Sequence, residues 1–228
     1  MIIITGASRG IGKFLLEKFI SEKNEKVIGI YNSTFPNPQY EKHYIKLDLL
    51  NFNNVNEWIN SMSNEFTDLV LLNCAGNNYN SFAHKSDMRS WKDVINLNLV
   101  ATFNLIHEVL PIMREQEYGR IINFSSIVAQ TGIPGTSAYA ASKAGLWGMS
   151  KAIAVENAKK GITINNLNLG YFDIGMISEV PEKFQSLIKA KIPTGDFGNP
   201  ENIYNAVNFL IDSDYVIGSS IDMNAGLF

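Results

Sequence analysis

Apolar residues fall along this chain in two alternating modes. Short runs of four or five residues, Ile2 to Thr5, Val27 to Tyr31, Tyr44 to Leu47, Leu69 to Asn73, Arg120 to Phe124, Thr163 to Leu167 and Ser220 to Met223, predict β-strands. Longer amphipathic stretches between them, Ile11 to Ser21, Val55 to Ser63, Trp91 to Arg114, Tyr139 to Lys159 and Pro200 to Leu210, predict helices. Strands without period-two alternation, separated by helices, imply a parallel sheet covered on both faces, a doubly wound α/β domain. No internal repeat, low-complexity tract or linker interrupts the pattern. The Pro- and Asn-rich NSTFPNPQY at 32 to 40 reads as a turn after the second strand, so residues 1 to 228 are expected to form one domain.

A length of 228 residues with 46% hydrophobic and 18% charged residues fits such a domain. The net charge of -3, with acids and bases interspersed, offers no basic stripe for nucleic acid or for a membrane surface, so the expected partner is a small molecule. A single cysteine, Cys74, excludes an internal disulfide and points to a reducing compartment. His43, His84 and His107 lack metal-ligand spacing, and no metal site is expected. The opening MIIITGASRG is too short for a signal-peptide core, and no later apolar run reaches the length of a membrane span. A soluble, cytoplasmic protein is expected.

Three segments carry candidate chemistry. The first strand runs into TGASRGIG, where Gly6, Gly10 and Gly12 open a helix. Such a turn lets the backbone approach a pyrophosphate, which the free N–H groups and dipole of the helix attract; its alternative is tight packing of strand on helix. NCAG, Asn73 to Gly76, ends the fourth strand on the edge where ligands bind in such sheets. In FSSIVAQTGIPGTSAYAASKAG, Ser126 ends the fifth strand thirteen residues (139 minus 126) before Tyr139, and Lys143 follows Tyr139 by one helical turn. A phenol beside a fixed cation is a usable proton donor or acceptor, because the charge favours tyrosinate. Taken alone, such a pair is more often a half-buried tyrosine beside a solvated lysine, so the surrounding motifs decide.

In order and spacing, TGASRGIG, NCAG, Ser126, YAASK, GITINNLNLGYFDIGM and IPTGDFGNPENI resemble the short-chain dehydrogenase/reductase family over nearly the whole chain. IPTGDFGNPENI and AVNFLIDSD resemble most the 3-oxoacyl-thioester ketoreductases within it. The resemblance implies a Rossmann-type fold with a seven-stranded parallel sheet in the order 3-2-1-4-5-6-7 and a short substrate lid near 176 to 197. It implies that Tyr139 passes a proton to the substrate oxygen, that Lys143 lowers the pKa of Tyr139 and holds the cofactor ribose, and that Ser126 orients the carbonyl. Asn98, within INLNLVATF, matches the asparagine that kinks its helix and holds a water feeding protons toward the lysine; its alternative is a solvated or capping residue. Gly6, Ser8, Arg9, Gly10, Ile11, Gly12, Asn32, Asp48, Asn73, Ala75, Gly76, Tyr139, Lys143 and Gly170 are the implied cofactor-binding residues. Tyr31 in GIYNS stands where NAD users of the family carry aspartate, and Arg9 matches the base that pairs with a 2′-phosphate, which favours NADP(H) over NAD(H). Asp48 matches an aspartate beside the adenine, with a capping role as its alternative.

The chain departs from the family pattern at Leu169, where proline is usual, and at Ile174, where threonine contacts the nicotinamide amide. Neighbouring N–H groups remain as carboxamide ligands. MISEVPEKFQSLIKAK from 176 to 191 is a short lid whose Lys183, Lys189 and Lys191 suit an anionic carrier or thioester, although lysines there more often form a solvated face, and Asp196 replaces a residue that is usually not acidic. The leading expectation is NADPH-dependent reduction of a ketone, a 3-oxoacyl thioester. Its rivals are a dehydrogenase or reductase of a sugar or specialised metabolite, bound through Asn-rich loops such as NNYNS at 77 to 81, and a non-catalytic dinucleotide-binding regulator. The resemblance also implies a homotetramer or homodimer, packed through the helices that carry Phe103, Leu105, Ile106, Leu146, Trp147 and Ile153.

Overall fold

The structure is a computed structural model that describes residues 1–23 and 26–227. Seven parallel strands, β1 (Ile2–Thr5), β2 (Val27–Tyr31), β3 (Tyr44–Lys46), β4 (Val70–Asn73), β5 (Gly119–Ser126), β6 (Ile162–Leu169) and β7 (Ser220–Met223), form one sheet. Their order, β3-β2-β1-β4-β5-β6-β7, is the one the sequence implied. Every strand pair is parallel, so each connection must cross a face of the sheet, and helices fill both faces.

On one face α1 (Gly10–Lys23) packs against the sheet through Leu15, Leu16 and Phe19, beside the last long helix, Glu201–Asp212, with Ile203, Tyr204, Val207 and Leu210. The other face is covered by α2 (Phe52–Met62) through Val55 and Ile59, and by a long helical rod built of α3 (Met88–Ile95), a π turn (Asn96–Val100) and α4 (Ala101–Gln116). Behind Ser126 a single turn, α5 (Val128–Thr131), leads to α6 (Ser137–Asn157) on the same side as α4. A short helix, α7 (Glu182–Lys189), lies inside the segment read as a lid, and α8 (Glu201–Asp212) completes the first face.

The periodicity located every strand to within two residues but passed over α7 and the π turn. It also passed over the rod from 88 to 116 as a span: by length and composition alone that rod is apolar enough to cross a membrane. Leu105, Ile106, Val109 and Met113 are spent on the sheet, which makes it a core helix. Of the six residues expected at a subunit face, Leu105, Ile106, Leu146 and Ile153 are buried within the chain, Trp147 is half-buried, and Phe103 is exposed.

Candidate functional site

All the motif residues meet at the edge formed by the C-terminal ends of the strands. Gly6 leaves β1 with φ +63°, and a Cβ there would lie 2.8 Å from the Ala75 Cα; a Cβ on Gly12 would lie 2.5 Å from the Gly6 carbonyl oxygen. Helix α1 therefore starts directly against the turn, and the close packing that the sequence offered as an alternative is present. Packing does not use up the donors: Lys13 N–H closes the first helical turn on the Arg9 carbonyl at 3.2 Å, so the N–H groups of Gly10, Ile11 and Gly12 precede the helical ladder. Across the crevice, the Ala75 N–H donates to Thr5 Oγ1 at 2.9 Å and ties NCAG to the turn.

Arg9 in the glycine turn and Asn32 are exposed, and half-buried Tyr31 ends β2. Asp48 accepts the Leu50 N–H at 3.0 Å, and Asn51 then caps α2 through the Asn54 N–H at 3.2 Å. The Asp48 carboxylate thus builds the turn before α2 while Asn51, not Asp48, caps that helix, and Asp48 lines a hollow of about 350 Å³ with Leu50, Asn51, Phe52 and Asn53.

Ser126, Tyr139 and Lys143 converge at the mouth between β5 and α6. The Ser126 hydroxyl accepts the Val128 N–H at 3.2 Å and lies close enough to the Tyr139 phenol to favour its ionised form. Lys143, only 6% exposed, donates from Nζ to the Phe124 carbonyl at 2.7 Å, and Nζ sits 5.6 Å from the centroid of the Tyr139 ring. The pair shares one space, as its spacing predicts, but the electrostatics differ from the expectation. Burial raises the Tyr139 phenol above its ordinary value, opposed only by the Ser126 hydroxyl, and burial pushes the Lys143 ammonium down to about 8 despite nearby Cys74. For both groups desolvation is the largest influence, so the net shift of Tyr139 is upward even with Lys143 nearby.

Asn98 lies in the π turn, 1% exposed, so the solvated alternative is excluded. Its Oδ1 accepts the Asn77 N–H at 2.9 Å, while Nδ2 donates to the Asn77 carbonyl at 2.9 Å and to Ser142 Oγ at 3.1 Å. Both amide hydrogens are engaged by protein. The side chain staples the loop after NCAG onto α6, and it stands beside Lys143: a Cβ on Gly76 would lie 3.2 Å from Asn98 Oδ1 and 3.6 Å from Lys143 Nζ.

Two rows of polar side chains beneath this cluster were not picked out from the sequence. Asn73 donates to Asn123 at 2.8 Å, Asn123 to Ser150 at 3.0 Å, Ser150 to Asn166 at 2.9 Å and Asn166 to Ser220 at 3.0 Å, across the register Asn73, Asn123, Asn166, Ser220. Two residues further along the strands, Trp147 Nε1 donates to Ser125 Oγ and Asn168 Oδ1, Asn168 donates to Asp222 at 2.7 Å, and Ser125 Oγ donates to the Lys143 carbonyl at 3.0 Å. Lys143, Trp147 and Ser150 form one stripe of α6, so Lys143 is carried by a helix hydrogen-bonded to the sheet. The available signal was the alternation of Asn166 and Asn168 in NNLNL.

Where the chain departs from the family pattern, Gly170 packs against Asn224, whose Cα a Cβ would approach to 2.8 Å. Ile174 is partly buried against the apolar core, and its own N–H donates to the Phe172 carbonyl at 2.7 Å. Gly175 precedes the segment read as a lid, and Gly10 packs against it so closely that a Cβ on Gly10 would lie 3.2 Å from its Cα. Of the three lid lysines, Lys183 and Lys191 are exposed, whereas Lys189 pairs with Asp196 at 2.6 Å and covers the Phe197 ring.

Residues 1–185 match the short chain dehydrogenase family. Over 99% of its length the chain is 37% identical to the 3-oxoacyl-(acyl-carrier-protein) reductase of Rickettsia typhi, covering 95% of that protein, and 35% identical to the acetoacetyl-CoA reductase of Shinella zoogloeoides, covering 97%. A putative gluconate dehydrogenase from Agrobacterium tumefaciens superposes with TM-score 0.90 at 23% identity, over 100% of this chain and 95% of that one. The NADP-bound structure of ElxO superposes with TM-score 0.89 at 25% identity, over 99% and 97%.

Proposed function

Starting from the chain's membership of the short chain dehydrogenase family, and hence from an NAD(P)-dependent oxidoreductase acting on CH–OH and C=O groups, we propose that it reduces a 3-oxoacyl thioester to the secondary alcohol with NADPH. The observation that carries this reading is the meeting of Ser126 and Tyr139 at the strand edge with Lys143 behind them. The names of the two reductase relatives support a thioester substrate, and the exposed Met176, Phe184 and Leu187 of the lid give its acyl part an apolar neighbour.

The residues fit a dinucleotide: the Gly6–Gly12 turn keeps side chains out of a strip of backbone whose N–H groups can receive the diphosphate. Bound there, the nicotinamide supplies the hydride. Ser126 and Tyr139 donate hydrogen bonds to the carbonyl oxygen and hold it in place. Burial keeps Tyr139 protonated, so it enters the reaction as the acid and gives its proton to the alkoxide as that charge forms. The Lys143 ammonium then stabilises the tyrosinate left behind, and Asn98 fixes the loop that closes the pocket behind the lysine. Exposed Arg9 in the glycine turn, with Tyr31 rather than an acid at the end of β2, supports NADP(H) over NAD(H).

Residues 1 to 228 act as one catalytic domain in this reading, and the lone Cys74 fits a cytoplasmic enzyme. Val100 and Phe103 on the rod and Val155 on α6 leave apolar surface for a second copy, in keeping with a homodimer or homotetramer. The test mixes the purified protein with acetoacetyl-CoA and either NADPH or NADH and follows nicotinamide absorbance. Oxidation that prefers NADPH, is lost in Tyr139→Phe and leaves NADPH binding intact in that variant is the expected result; full turnover by Tyr139→Phe would refute the mechanism.

A further inference from the structure

Tyr44, the first residue of edge strand β3, lies opposite Gly29 of β2 in the sheet register. The missing side chain at Gly29 leaves room above β2, and the Tyr44 ring crosses it: a Cβ on Gly29 would lie 2.9 Å from Tyr44 Cδ1 and 2.9 Å from the Ala7 Cβ, and would collide with Leu16. The phenol thereby reaches over β2 and donates to the Ala7 carbonyl, inside the glycine turn, at 3.1 Å. Tyr31 stands edge-on to the crossing ring, with centroids 6.1 Å apart and planes at 85°.

Ala7 is thus held at both ends. Its N–H donates to the Ile30 carbonyl of β2 at 3.1 Å, and its carbonyl accepts from Tyr44. A trans peptide is planar with C=O and N–H pointing opposite ways, so pinning the Ala7 oxygen also sets the direction of the Ser8 N–H that shares the plane. Ser8 and Arg9 are the next two residues of the turn read as the cofactor cradle.

The geometry points to Tyr44 as a positioning residue for the dinucleotide: by holding the Ala7–Ser8 peptide it aims the start of the glycine turn at the bound phosphates. Tyr44 does not touch the reacting atoms. Burial, reinforced by Glu17, pushes its phenol up to about 12, so it remains a donor throughout the working pH range. The inference rests on the glycine turn being the dinucleotide site.

The test measures NADPH and NADH dissociation constants by nicotinamide fluorescence, together with KM and kcat, for the wild type, Tyr44→Phe and Tyr44→Leu. Tyr44→Phe keeps the ring and loses only the hydroxyl, and it should weaken dinucleotide binding about three- to tenfold, with a matching rise in cofactor KM and kcat little changed. Tyr44→Leu should weaken binding at least as much. Equal binding by wild type and Tyr44→Phe, or a loss confined to Tyr44→Leu, would overturn the role of the hydroxyl while leaving the cofactor site in place. A wild-type protein that binds neither dinucleotide would overturn the site itself, and this inference with it.

Discussion

Lys143 offers a quantitative test because the fold places a cation where the solvent cannot reach it. Its value in the folded chain is about 8, against 10.5 for the free side chain. Between those values the unfolded chain holds more protons than the folded one, so burial of the ammonium destabilises the fold and stability rises with pH through this window. The displacement of 2.5 pH units (10.5 minus 8), at about 1.4 kcal/mol each, amounts to about 3 kcal/mol below pH 8, falling to under about 1 kcal/mol by about pH 10. Lys143→Met removes the titration and leaves a chain of similar length, though it also loses the bond to the Phe124 carbonyl, a cost that does not vary with pH. The stability of wild type relative to Lys143→Met should therefore increase by about 2 kcal/mol from about pH 7 to about pH 10. Urea denaturation of both proteins across that range reads the difference directly, and the slope is unaffected by constant terms. A gap that stays flat with pH would show that the lysine is solvated, and would remove the basis for placing a poised cation behind Tyr139.

Two further substitutions test the frame around the site. Gly12→Ala puts a methyl group 2.5 Å from the Gly6 carbonyl oxygen, so the turn must move; a loss of about 1–3 kcal/mol in denaturant stability and at least about tenfold in NADPH affinity is expected by fluorescence titration. Asn123→Leu strips Asn73 and Ser150 of their shared partner inside the sheet, and denaturation should register a loss of about 2–4 kcal/mol.

The reach of the sequence differed from element to element. Strand positions and both faces of the sheet were legible because an apolar run of four or five residues between longer amphipathic stretches has few other readings. Ser126, Tyr139 and Lys143 could be placed together because strand-end position and helical spacing are local properties. The protonation of Tyr139 was not legible: its direction depends on how much water the folded site excludes, which no spacing encodes. Neither was the work of Asn98, whose Asn77 partner lies twenty-one residues away (98 minus 77) and meets it only because the chain leaving β4 passes the π turn in the middle of the rod. Helix α7 escaped because Glu182 to Lys189 is too short and too polar for its periodicity to stand out. Tyr44 read as an ordinary strand residue, since nothing in its neighbours reveals that Gly29 has cleared a path for it.

The polar rows under α6 determine how the enzyme can change. An oily joint between helix and sheet lets one slide over the other by fractions of a turn at modest cost, whereas Ser150 and Trp147 key this helix to Asn123, Asn166, Ser125 and Asn168 at fixed points. Tyr139 and Lys143 ride on that keyed joint, so their distance to Ser126 is insulated from drift in the outer helices. The segment read as a lid and the residues from 78 to 86 take no part in these rows, so variation can accumulate there without disturbing the placement of Ser126, Tyr139 and Lys143.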